Sequence, residues 1–112
     1  MSTANSAAES LRALCHELYE PRTPQEVYRD VSDLADCVRY IQQSSRQLAE
    51  QLHRARLADL IEVVSGPSSF NDPTGEAIAR LMDTNGRAAD LYLLLNRAGQ
   101  AASHLYSKDV GE

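Results

Sequence analysis

The feature that most restricts this chain is the distance between one strong helix start and the next strong stop. Thr23-Pro24-Gln25-Glu26 offers a capping threonine, a proline at the first helical position and a glutamate three residues after the cap. Such a set satisfies the free backbone donors of a helix start reciprocally. The next clear stop is Ser65-Gly66-Pro67, where glycine can take the left-handed C′ position and proline cannot continue the helix. A helix from residue 24 to 65 would be roughly 63 Å long at 1.5 Å per residue. No chain of 112 residues can wrap a rod of that length. It needs a long neighbour beside it.

The apolar pattern supplies one. In helix 2, Val27, Val31, Leu34, Val38, Ile41, Ser45, Leu48, Leu52 and Ala55 follow alternating steps of four and three. This is the seam of a left-handed coiled coil, interrupted once by the polar Ser45. Leu57, Leu60, Ile61 and Val64 carry the face onward. Asp72-Pro73 begins helix 3 with a capping acid and an N1 proline. Its stripe reads Ile78, Leu81, Asn85, Ala88, Tyr92, Leu95, Gly99, Ala102 and Tyr106. A second stripe of Leu91, Leu94, Ala98 and Leu105 widens the apolar face enough for two neighbours. Asn85-Gly86 is a turn dipeptide inside this pattern, read here as a bend in one continuous helix over about 73–106. The short loop from Gly66 to Pro73, with Phe70 as its apolar plug, makes helices 2 and 3 antiparallel.

Helix 1 covers about 6–19, with Met1 to Asn5 disordered before it. Ala7, Ala8, Leu11, Leu14, Cys15 and Leu18 form its apolar stripe, and Pro21 stops it. The corner to helix 2 is short, so Leu11, Leu14 and Leu18 should dock beside the small residues Ala98 to Ala102. The fold class is therefore all-α. It is an elongated helical bundle in one domain, residues 1–112, with a long antiparallel hairpin and a short N-terminal helix.

Charge and composition narrow the function. The net charge is −5 and both halves are acidic. No basic stripe exists to neutralise phosphates, and no basic amphipathic face to meet an anionic membrane, so nucleic acid and membrane are disfavoured as partners. The start lacks a signal peptide, and no stretch nears the ~20 apolar residues of a span. A cytoplasmic protein is expected, with Cys15 and Cys37 as buried free thiols. Ten arginines stand against one lysine, Lys108, as in a GC-rich bacterial genome.

No catalytic or metal residues and no cofactor are assigned. Glu50-Gln-Leu-His53 matches the E-x-x-H step of di-iron bundles, but no second copy of the step exists, and the pair reads as surface. Cys15-His16-Glu17 are neighbours on a helix, about 100° apart, and cannot make the mutual hydrogen bonds of a thiolate–imidazole site. Phosphate-loop, dinucleotide and nucleophile-elbow motifs are absent.

Two family resemblances can be drawn. Arg97-Ala-Gly-Gln-Ala-Ala-Ser-His104 resembles the R-x(4–6)-H motif of HEPN-type ribonucleases. That resemblance implies Arg97 and His104 meeting across a dimer to cut RNA without metal, although the polar residue often following the arginine is Ala98 here. Length, acidity and an antiparallel hairpin ending near Leu105-Tyr106 are similar to the WXG100-like proteins of type VII secretion. The W-x-G turn and the Y-x-x-x-[DE] tail of that family are both missing.

The reading that best fits the residues is a non-enzymatic protein–protein interaction or assembly module acting through helix faces. Its partner is another protein or itself, as a homodimer. The candidate interface residues are Tyr28, Tyr40, Leu91, Leu94, Leu105 and Tyr106, since tyrosine joins a large ring to a polar tip. Tyr92 is better placed as a cap on the core. Stacking two hairpins into a four-helix core would bury Leu91, Leu94 and Leu105, with Ser45 and Asn85 setting the register.

Overall fold

A computed structural model describes residues 2–64 and 70–108. Three helices account for about three quarters of these residues: α1 (Thr3–Glu17), α2 (Pro24–Leu57) and α3 (Pro73–Ala102). No strand occurs among the described residues. The molecule measures 70 × 27 × 24 Å, with a radius of gyration of 19.6 Å. A compact globule of similar length would have a radius of about 13 Å.

α2 starts where its sequence signals place it. Thr23 Oγ1 accepts from the Glu26 N–H at 3.2 Å, and Glu26 Oε1 accepts from the Thr23 N–H at 3.1 Å. Its end is a correction. The helix stops at Leu57, not near residue 65. Asp59 takes a left-handed backbone with φ 55. The Asp59 N–H then donates to Arg56 O at 3.1 Å and the Leu60 N–H to Ala55 O at 2.9 Å. That is a Schellman stop with aspartate where glycine is usual, a substitution aspartate tolerates better than most residues. The β-branched Ile61, Val63 and Val64 that follow do little to carry the helix past this point. Leu57, Leu60 and Val64 thus leave the seam and stand exposed. The Gly66-Pro67 stop lies outside the described residues.

α3 is continuous through Asn85-Gly86. It ends at Ala102, so Leu105 and Tyr106 lie beyond it. Asp72 Oδ1 caps it by accepting from the Gly75 N–H at 3.0 Å, and Arg56 Nη2 donates to the same oxygen at 2.6 Å across the hairpin. A Cβ on Gly75 would run into the Asp72 carboxylate, so the cap and the bridge both need glycine there.

Three cross-links fix the antiparallel register. Besides Arg56 with Asp72, Asn85 Nδ2 donates to Gln42 O at 2.8 Å. A Cβ on Gly99 would lie 3.6 Å from Val31 Cγ1. Rising numbers on α2 meet falling numbers on α3, which puts Leu52 toward Leu81 and away from Leu105. On α3 the expected stripe from Ile78 to Ala102 is shielded, with Thr74 before it, whereas its last member, Tyr106, is 81% exposed beyond the helix.

On α2 the seam is rotated from expectation. Val31, Val38, Ser45 and Leu52 are in it, but the positions between them are Ala35, Gln42 and Ala49. Ala35 is 1% exposed and Ala49 2%, whereas Ile41 is 46% exposed and Leu48 55%. Leu34, next to Ala35, is half-buried. The cause is close approach. The buried set is Ala, Gly, Ser, Thr and one Val, and no large side chain is fully enclosed among the described residues. Ala35, Gln42 and Ala49 face α3 at these points, and Ile41 and Leu48 stand one residue to the side. Ser45 fits because its Oγ–H is satisfied by Ile41 O at 2.8 Å.

α1 departs most from expectation. It starts at Thr3, three residues early, because the Ser2 Oγ accepts from the Asn5 N–H at 3.1 Å. No Cα of α1 comes within 8 Å of a Cα in α2 or α3, and none of its residues is buried. It does not dock at the Ala98–Ala102 patch. Arg22 at the corner stands 3.6 Å from Glu17, 3.2 Å from Glu26 and 3.1 Å from Asp30. The Asp30 contact is an ion pair off the hydrogen-bond direction. These pairs and the fixed φ of Pro21 and Pro24 tie the end of α1 to the start of α2 without laying it on the hairpin.

Candidate functional site

A two-helix seam leaves each helix with two flanks. In an antiparallel pair, the residues just before Ala35, Gln42 and Ala49 share a side with those just before Tyr92 and Gly99. These are Leu34, Ile41 and Leu48 on α2, and Leu91 and Ala98 on α3, and the positions just before the seam residues Ile78 and Asn85 add Ala77 and Thr84. Leu94 lies one turn from both Leu91 and Ala98 and extends the same side. All of these but Thr84 are apolar, and all but the half-buried Leu34 and Ala77 are exposed.

The other side is different in kind. The residues just after the seam there are Ser32, Arg39, Arg46 and His53 on α2, and Met82, Ala89, Asn96 and Ser103 on α3. Ser32, Asn96 and Ser103 line one shallow depression with Tyr28 and Gly99, so these positions of both helices share a side. The hairpin therefore has one apolar flank and one mainly polar flank.

The expected interface residues divide among several places. Leu91 and Leu94 are on the apolar flank. Tyr28 and Leu105 meet at the open end, lining a depression with Gln25 and Ala102. Because α3 ends at Ala102, Leu105 does not continue the stripe of Leu91, Leu94 and Ala98. Tyr40 is exposed on the outer side of α2, and Tyr106 is exposed beyond α3. Tyr92 is half-buried in the seam. Leu34, Ile41 and Leu48 belong to the flank, although hydrophobic spacing alone assigns them to the core. The signal that distinguishes the two is the small pair Ala35 and Ala49, one residue along.

The remaining constellations stay apart. Glu50 stands 3.9 Å from Arg46, and His53 is exposed. Among the described residues no group of three His, Cys, Asp or Glu side chains could hold a metal. Cys15 is a free thiol but exposed rather than buried, and Cys37 is intermediate. His104 lies past the end of α3, so Arg97 and His104 are not two turns apart on one helix. Among the described residues no helix is long and apolar enough to cross a membrane. Phe70 is half-exposed rather than sealing the hairpin end.

One ionisable group is clearly perturbed. The Thr23 backbone N–H, helped by its hydroxyl and by Arg22 and Arg29, holds the Glu26 carboxyl below the usual glutamate range. This is the capping box stated as electrostatics. It marks the corner between α1 and α2.

Comparison with protein-family models, curated proteins and solved structures gives no match.

Proposed function

We propose that this protein is a non-enzymatic interaction module that binds another protein chain through the apolar flank of its hairpin. The observation that carries this reading is the contrast between flanks. Ile41, Leu48, Leu91 and Leu94 are exposed along one side, while the equivalent positions of α2 on the other side are Arg39, Arg46 and His53. Exposed apolar side chains scattered singly need no explanation, but a contiguous row along one face does. A helical partner face with apolar residues at i, i+3, i+4 and i+7 would fill it. Binding follows from removing the row from water, at about 25 cal/mol per Å² of apolar area.

The test is photo-cross-linking in the native host from residues on each flank. Adducts to defined proteins should form from Ile41 and Leu94 and be absent from Arg39. Equal adducts from both flanks, or none from the apolar one, would remove the reading.

A further inference from the structure

We infer that the partner on the apolar flank is a second copy of this chain, stacked face to face so that two hairpins enclose a four-helix core. This rests on the flank being a protein-binding surface and names what occupies it. The first argument is area. The chain exposes 9019 Å². A folded monomer of 12.4 kDa is expected to expose about 6,100 Å². The excess is roughly 2,900 Å², while an obligate homodimer removes about 1,000–2,500 Å² per chain. The surplus is thus large enough for a stable dimer.

The second argument is what is available to cover the flank. The third helix, α1, carries an apolar stripe of Leu11, Leu14 and Leu18, and it has no Cα within 8 Å of either hairpin helix. It leaves the flank open along its length. The third argument is charge. The ionic residues bordering the flank are already balanced inside the chain: Arg80 with Glu76 at 3.2 Å, Arg87 with Asp83 at 3.7 Å, and Asp30 with Arg22 at 3.1 Å. Such a border offers nothing to a strongly charged partner and no like-charge clash to a copy of itself. An isologous contact also uses each flank residue twice, so one substitution acts at two places.

Sedimentation equilibrium of the full chain at micromolar concentration tests this. The wild-type mass should be twice 12.4 kDa. Ile41→Glu and, separately, Leu94→Glu should return it to the monomer mass with helical circular dichroism retained, since both side chains are largely outside the seam. Arg39→Glu should stay dimeric. A monomeric wild type overturns the second-copy assignment, and flank-specific cross-links to a different protein would leave the interaction reading standing. A dimer indifferent to both flank substitutions overturns the second-copy assignment as well.

Discussion

The two flanks of the hairpin are built on the same two helices, beside the same seam, and differ only in which neighbours of the seam face outward. One shows Ile41, Leu48, Leu91 and Leu94, and the other shows Ser32, Arg39, Arg46 and His53 on α2 with Met82, Ala89, Asn96 and Ser103 on α3. The fully buried points of the seam are small residues and Val38, with Leu52, Ile78, Leu81, Tyr92 and Leu95 half-buried between them, while Ile41, Leu48, Leu91 and Leu94 stay outside it. In a free-standing hairpin those side chains would be expected inside. Their placement on one outer side leaves the molecule with a thin core and a row of exposed apolar side chains beside it.

The largest effect should come from breaking that row. Ile41→Glu removes a side chain worth about 1.5–3 kcal/mol when buried. Counted twice in a symmetric contact, it should weaken self-association by roughly 10²-fold or more. Arg39→Glu, two residues away, should change it by less than about threefold, since exposed charges contribute little. Analytical ultracentrifugation across a dilution series reads both.

The next comparison separates seam from flank. Ala35→Leu should destabilise the fold by about 1–3 kcal/mol through overpacking, lowering the urea midpoint. Leu48→Ala would cost about 2–5 kcal/mol in a core. At 55% exposure it should cost the dilute chain under about 1 kcal/mol, and more at concentrations where the chain associates. A Leu48→Ala loss of core size in the dilute chain would mean that the seam lies on the other face.

Two glycines away from the apolar flank provide controls of opposite sign. Gly75→Ala should lower stability by about 1 kcal/mol, because the added Cβ displaces the Asp72 cap. A Cβ at position 86 would meet nothing within 4 Å, so Gly86→Ala should raise stability by about 0.5–1 kcal/mol. Thermal melts distinguish the two, and neither should alter the association constant. The smallest effect is at Glu26. Its carboxyl is held low by Thr23 and Arg22, so its share of stability is present above the usual glutamate range. That share is lost as pH falls through the depressed value. Glu26→Gln should therefore flatten the acid limb of the melting-temperature profile without changing association.

Much of α3 is legible in its sequence, because Ile78, Leu81, Leu95 and Tyr92 are large and fall on one stripe with no competing row of the same register. α2 is harder. Leu34 and Ala35, Ile41 and Gln42, and Leu48 and Ala49 form two overlapping stripes, and hydrophobic size alone favours the wrong one. The structure selects the row of Ala35, Gln42 and Ala49, and only their small size at two of the three positions signals it. The stop at Asp59 is hidden because aspartate in a left-handed turn is a weaker sign than Gly66-Pro67, although the shift of the apolar face after Ala55 hints at it. The detachment of α1 is not legible, since a short corner constrains where a helix begins and leaves its direction to ion pairs such as those of Arg22.

The most direct measurement is thiol labelling of one cysteine per flank. In a chain with Cys15→Ala and Cys37→Ala, Leu94→Cys and Arg39→Cys report the two sides separately. At micromolar concentration the cysteine at position 94 should be labelled at least about tenfold more slowly than that at 39, because a buried contact excludes the reagent. Dilution to nanomolar concentration should bring the two rates together. Equal rates at every concentration would contradict the claim that the apolar flank is the surface by which this protein associates.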